Sequence, residues 1–419
     1  MNPRISAVAG AALVALTLAG CSAQEAPERA ADDEQHLNTG ESQTTEEPTE
    51  QPADEPEPSQ PARVGESLPE LDATGFRLPF HLQGQVMVRT PWDVLPQHRE
   101  GVFLAPGEQG GALIFTAVDA EGTVLWAAER PPSCTGFALT TTSAGRDLAV
   151  LTDVAAGTGS ESLASTTASA VDLRTGEEVW GPVDVGGPHV GPGLTFAAPA
   201  DAPMGAGGPK VVLDPDTGQV AVSEAGDDVR VLGDFGGTIL VVEEGDLVAR
   251  SADGQEENWR VDVSEHGWTA SDLAPVAGAG NNSDLALLSV GDDSRAVLNL
   301  ADGSVLAEDV SDVATDETTG TRVVVEESDV LAYDGEQNEL WAYGQAEPAT
   351  ITGIGGVMVY LRSGDAVRVH NVLTGEVAEA YDPDGEGEIL VPAVIAVNGA
   401  SVVIGSEGYH LVTLTPADS

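Results

Sequence analysis

Lysine is almost missing from this chain. Lys210 is the only one among 419 residues, and 17 Lys and Arg face 69 Asp and Glu, a net charge of −52. Such a surplus excludes nonspecific nucleic-acid binding and adhesion to anionic lipid, since both need a cationic surface. It reads first as a strongly hydrated, solubilising surface, and second as a match for a basic partner. Cysteine is nearly as scarce, with only Cys21 and Cys134. No disulfide framework can be built from them, so a large folded domain must rely on its core. Cys134, with no His or Lys nearby in sequence, reads as a small buried residue rather than a reactive thiol. The histidines (His36, His81, His98, His189, His266, His370 and His410) are scattered singly, so no zinc-type pair is available. Neither a Gly-x-Ser-x-Gly elbow nor a phosphate-cradling loop ending in Lys-Ser/Thr occurs. Apolar residues at i, i+3, i+4 and i+7 are also lacking, which excludes a helical solenoid.

Of the features present, the N-terminus stands apart. Residues 1–20 hold Arg4, then a short apolar run from Ile5 to Leu18, too short for a comfortable membrane span. The run ends in Leu18-Ala19-Gly20-Cys21, which resembles the signal of bacterial lipoproteins. That resemblance implies a signal peptide over 1–20 and diacylglycerol on the Cys21 thiol, hence a lipid-anchored protein on the extracytoplasmic side of a membrane. Buried acyl chains contribute about 0.8 kcal/mol per CH₂ to such anchoring. Residues 21–70 are a different material. They contain 14 acidic residues, seven prolines and only Arg29 and Arg63 as cations. Too little apolar surface is present to offset ordering entropy, so this segment is expected to be a disordered, self-repelling spacer.

Over 71–419 the chain repeats itself. Ala170-Val171-Asp172-Leu173-Arg174-Thr175-Gly176-Glu177-Glu178-Val179-Trp180 is the fullest copy, and Ala117–Trp126 is the same unit with a shorter turn. Weaker copies turn at Gly218, Gly254, Gly303, Gly335 and Gly375. With Gly122 and Gly176 the turn glycines are 32 to 54 residues apart, averaging about 42, a period of propeller blades. Each unit reads as strand, tight turn, strand, with Asx or Thr then Gly supplying a positive φ. Trp126, Trp180, Trp259 and Trp341 recur behind the turn, where an indole is expected to pack between neighbouring units.

The pattern Ala-x-Asp-x-x-Thr-Gly-x-x-x-Trp resembles the quinoprotein-type (PQQ-like) β-propeller repeat. It implies an all-β propeller of four-stranded antiparallel blades. Three strands are expected after residue 389, with no fourth. A strand from near Phe76–Val88 should therefore complete the last blade and close the ring. Spacing favours eight blades, with seven the alternative. Some relatives of this kind hold a quinone with a calcium ion, a stacking Trp and often a vicinal disulfide. No Cys-Cys pair exists here, and only Trp92 and Trp268 lie outside the repeat. PQQ is therefore not expected, and no catalytic residue is assigned. Calcium needs six to eight oxygens. Asp382, Asp384 and Glu386, in an acidic turn without EF-hand spacing, are the only candidate ligands of note. The expectation is a non-enzymatic binding or scaffolding platform for a protein partner. Its binding face is sought in the long inserts Ala155–Ser169 and Gly186–Gly208. An oxidoreductase and an envelope ligand sensor are the alternatives.

Overall fold

The computed structural model describes residues 60–155, 165–198, 208–226, 228–276, 284–291, 294–327, 329–345 and 347–416. Eight small antiparallel sheets follow one another along the chain. They are blades 1 to 8 of a closed ring, which overturns the seven-bladed alternative. Blade 1 runs Gln97–Arg99, Val102–Gln109, Ala112–Asp119, Thr123–Arg130, and its successors repeat that up-and-down order. Blades 3 and 7 are reduced to three strands, with single bridges His189–Phe196 and His370–Val377 marking the lost positions. First strands of adjacent blades touch one another, so they line the centre of the ring.

Alternation of antiparallel strands sends successive connections to opposite faces. One face carries the turns after the first and third strands, including every repeat turn. We call it the turn face. The other carries the remaining loops. Both long inserts contribute to that second face, but 156–164 and 199–207 lie outside the described residues. What is described of the inserts is partly strand: Ser165–Asp172 and Thr195–Ala197 belong to blades 2 and 3.

Closure follows the sequence expectation. Val391–Ile395, Ser401–Gly405 and Gly408–Pro416 form three strands of blade 8, and Gln85–Arg89 pairs with the last of them. Joining the two ends of the domain in one sheet leaves the ring without an open seam. The boundary at 70 needs correction. Ala62–Ser67, assigned above to the spacer, is a fifth strand on the outer edge of blade 1, with Arg63 opposite Trp126 and Ser67 opposite Thr123. All six of its residues are exposed. Backbone pairing to an otherwise unpaired edge holds it, and side-chain composition carries no trace of that.

The core is a ring of seams. Separate buried clusters join blades 1 and 2, 2 and 3, and so on round to 8 and 1. Four seams are closed by the repeat indoles. Trp126, Trp180, Trp259 and Trp341 each donate Nε1–H to a carbonyl in the next blade, at Leu173, Pro215, Leu300 and Val372, over 2.7–2.9 Å. Each ring also lies on the next blade's turn glycine. A Cβ on Gly176, Gly218, Gly303 or Gly375 would come within 3.0 Å of that ring. These glycines thus serve close approach as well as positive φ. Across the sheet each indole faces an alanine: Ala117, Ala170, Ala249 and Ala332. Where the indole is lost, the alanine becomes valine, as in Val212–Val222 and Val297–Ala307. Volume is exchanged within the pair, as close packing requires. Gly254 meets Ala221 and Val222 instead of a ring. Gly335 departs from the expected turn: the positive φ falls on Gln337, at 68°, and nothing lies within 4 Å of a Cβ on Gly335.

Candidate functional site

A cleft of about 320 Å³ opens on the turn face between blades 1 and 2. Its walls come from three separate turns: Arg99, Glu100 and Val102; Arg146 and Asp147; and Asp172 to Thr175. Three guanidiniums line it, Arg99, Arg146 and Arg174, together with three carboxylates, Glu100, Asp147 and Asp172. The arginines are a local concentration in a chain whose Lys and Arg number 17 in all. The volume falls within the range of ligand-binding pockets.

Two of the three carboxylates, Asp172 and Asp147, are engaged from within. Asp172 Oδ2 accepts from Arg146 Nε at 2.7 Å, while its Oδ1 accepts from the backbone N–H groups of Arg174 and Thr175. Burial pushes the Asp172 carboxyl up, but the hydrogen bonds from Arg146 and Thr175 outweigh it and hold it below the ordinary carboxylate value. Asp147 accepts from the Thr141 hydroxyl at 2.7 Å and lies 3.9 Å from Arg99. Arg174 Nη2 donates to the Glu100 carbonyl at 2.9 Å. Each guanidinium is thereby positioned with N–H groups to spare, and Arg174 is exposed. A fork of that geometry suits carboxylate or phosphate oxygens. Apolar Val102 and Leu173 form the floor, and both belong to the seam cluster that Trp126 closes.

Burial raises the Asp234 carboxyl of blade 4, against the N–H groups of Gly237 and Leu194 and, more weakly, Arg99. Burial is the larger effect and leaves that carboxyl above its usual range. Asp234 accepts from Gly237 N and, across the seam, from Leu194 N. It is a structural clamp rather than a base.

The residues marked in the sequence fall elsewhere. Cys21 lies outside the described residues. Asp382, Asp384 and Glu386 occupy the link between blades 7 and 8, on the opposite face. There Asp382 Oδ1 accepts from Asp384 N at 3.0 Å, and the Asp382 carbonyl accepts from Arg77. A guanidinium in the loop works against a cation. Among the described residues no group of three or more His, Cys, Asp or Glu stands together as a metal site. A quinone finds no stacking platform in the two spare indoles. Trp92 is buried, with its Nε1 donating to the Thr116 carbonyl, and Trp268 stacks on His266 at 4.7 Å in the link between blades 4 and 5. Cys134 is buried, as read from sequence. The three cleft arginines went unmarked because their turns are far apart in the chain. One signal was available: Arg174 sits in the fullest repeat copy, in a chain where cations are rare.

No protein-family model matches the chain, and no curated protein does. Solved structures do. BamB from Moraxella catarrhalis is similar at 14% identity and a TM-score of 0.41, covering 80% of this chain and 98% of that one. Sqt1 from Saccharomyces cerevisiae is similar at 13% and 0.39, covering 84% and 100%. A quinohemoprotein alcohol dehydrogenase from Comamonas testosteroni is similar at 13% and 0.38, covering 81% and 77%. At these identities the likeness concerns the ring of blades and nothing bound to it.

Proposed function

We propose that this protein is a lipid-anchored, non-catalytic binding platform on the extracytoplasmic side of a membrane. In this reading Cys21 carries the anchor, the acidic segment spaces the propeller from the lipid, and the cleft between blades 1 and 2 receives a carboxylate-bearing segment of a protein partner. One observation carries it: three of a cation-poor chain's arginines line a single 320 Å³ cleft. Bidentate arginine contacts would fix the orientation of the bound segment, and Val102 with Leu173 would take its apolar side chain. No general base, metal centre or nucleophile is needed for this role.

Photo-crosslinking in intact cells tests it. A photoreactive side chain at Thr175 should capture a discrete protein, and Arg99→Gln with Arg174→Gln should abolish the adduct. Capture that ignores the arginines would refute the cleft as the site. Cys21→Ala should move the protein from the membrane to the soluble fraction, and retention would refute the anchor.

A further inference from the structure

Four seams hold an indole, and the seam between blades 5 and 6 keeps the place for one. The next seam, between blades 6 and 7, shows that place filled. There Trp341 packs with Ile351, Val359 and Leu361, covers Gly375, and stacks on His370 with 5.9 Å between centroids and 14° between planes. Strand register carries these positions back one blade. Val313 pairs with Val324 as Ile351 pairs with Leu361, and Arg322 pairs with Tyr333 as Val359 pairs with His370. Gln337 holds the positive φ that Gly375 holds. These five residues, Val313, Arg322, Val324, Tyr333 and Gln337, form the blade 6 wall of a cavity of about 60 Å³. The cavity is therefore the vacated indole slot, and Ala307 of blade 5 stands where the indole would be rooted. The other seam without an indole has closed up: between blades 3 and 4 a Cβ on Gly254 would stand 2.5 Å from the Ala221 carbonyl oxygen. One group in the open slot is unlike its counterpart. Arg322 replaces Val359, and its side chain is only 12% exposed. Its Nη2 pairs with Asp284 at 3.2 Å, while its Nε is buried with no hydrogen-bond partner among the described residues. A buried donor left unmade is costly, so an acceptor beside it would be held.

We propose that the slot between blades 5 and 6 binds a small, neutral, planar aromatic molecule, its ring against Tyr333 and its oxygen accepting from Arg322 Nε. Planarity follows from the homologous seam, where a flat ring stacks on the residue in the place of Tyr333. Neutrality follows from the net charge of −52, whose field repels an anion. An apolar wall with a few fixed polar groups is the usual make-up of a small-molecule site. The cavity is smaller than the ~150 Å³ of an engineered cavity that holds benzene. An entering ring must therefore displace Gln337, an exposed side chain that stands where the filled seams have glycine. The slot is separate from the arginine cleft, and its occupancy rests on nothing proposed for that cleft.

Methyl NMR titration of the whole chain decides it, with benzamide as the probe and cyclohexanecarboxamide as its non-planar counterpart. Benzamide should shift the Val313 and Val324 methyls and give NOEs to them, and the counterpart should bind about tenfold more weakly. Arg322→Met should weaken benzamide about tenfold, the effect of one lost hydrogen bond to a charged group. Gln337→Gly suits the φ of 68° and widens the slot, so it should tighten benzamide. Val297→Ala with Ala307→Trp rebuilds the alanine–indole pair of the filled seams and should abolish binding by supplying the ring from within. Should that double change unfold the ring, the Arg322 and Gln337 variants still decide. Absence of shifts at Val313 and Val324 under saturating probe, equal binding of the two amides, or indifference to both Arg322→Met and Gln337→Gly overturns the proposal.

Discussion

The seam between blades 1 and 2 and the seam between blades 5 and 6 are the same joint built two ways. In the first, Trp126 is fully buried, lies on Gly176 and is tied to the Leu173 carbonyl. In the second, Ala307 takes the indole's place, Val297 faces it, and a cavity of about 60 Å³ remains among Leu285, Leu306, Val313 and Tyr333. The joint tolerates either solution because neighbouring seams and ring closure hold the blades. The filled seam has a rigid floor, and the arginine cleft is built on it. The open seam is lined by Arg322, paired with Asp284 at 3.2 Å.

The comparison is broken most strongly at the filled seam. Trp126→Ala should cost about 3–5 kcal/mol, as large core truncations do. Leu306→Ala at the open seam should cost less than half of that. Equal shifts in urea midpoint would mean the two seams are not different joints.

Acid should act unevenly as well. Burial lowers the pKa of His81, His98, His189 and His410, with Glu317 opposing at His98 and Arg89 assisting at His410, where Glu407 and Glu388 oppose. The unfolded chain then binds more protons. Stability is intact above the ordinary histidine value of about 6.5 and falls as pH drops through it. Each histidine can contribute up to about 1.4 kcal/mol per pH unit until its folded form also protonates. These four sit in or beside blades 8, 1 and 3. Hydrogen exchange at pH 5.5 should accelerate there before it does at blades 5 and 6, and uniform acceleration would dismiss this account.

Filling the open seam gives a smaller effect of opposite sign. Val313→Ile, at a residue that lines the cavity, should stabilise by about 0.5–1.5 kcal/mol. A loss would show that the space cannot accept a side chain. The smallest change is expected from Glu177→Gln. Its pair with Arg63 is exposed on both sides, and such pairs contribute at most about 1 kcal/mol. Global stability should hardly move, while exchange protection of Ala62–Ser67 should drop, since the pair fastens that strand.

Sequence and structure agree where local chemistry repeats. The turn glycines, the indoles and the closing strand were legible because each copy restates the same turn and the same alternation. Gly335 misled because Asp-Gly suggests a positive φ at the glycine, yet the longer turn there shifts it to Gln337. Ala62–Ser67 was invisible because an edge strand held by its backbone needs no apolar pattern. The cleft was invisible for a third reason. Arg99, Arg146 and Arg174 come from turns of two blades and meet only when the ring assembles.

As proposed above, the arginine cleft is the binding surface. Photo-crosslinking from Thr175 in intact cells, with and without Arg99→Gln and Arg174→Gln, tests it most directly. The account predicts one reproducible protein adduct that disappears with the arginines and is absent when the reactive group sits at Asp302. An adduct that survives loss of the arginines, or that forms equally from Asp302, would contradict it.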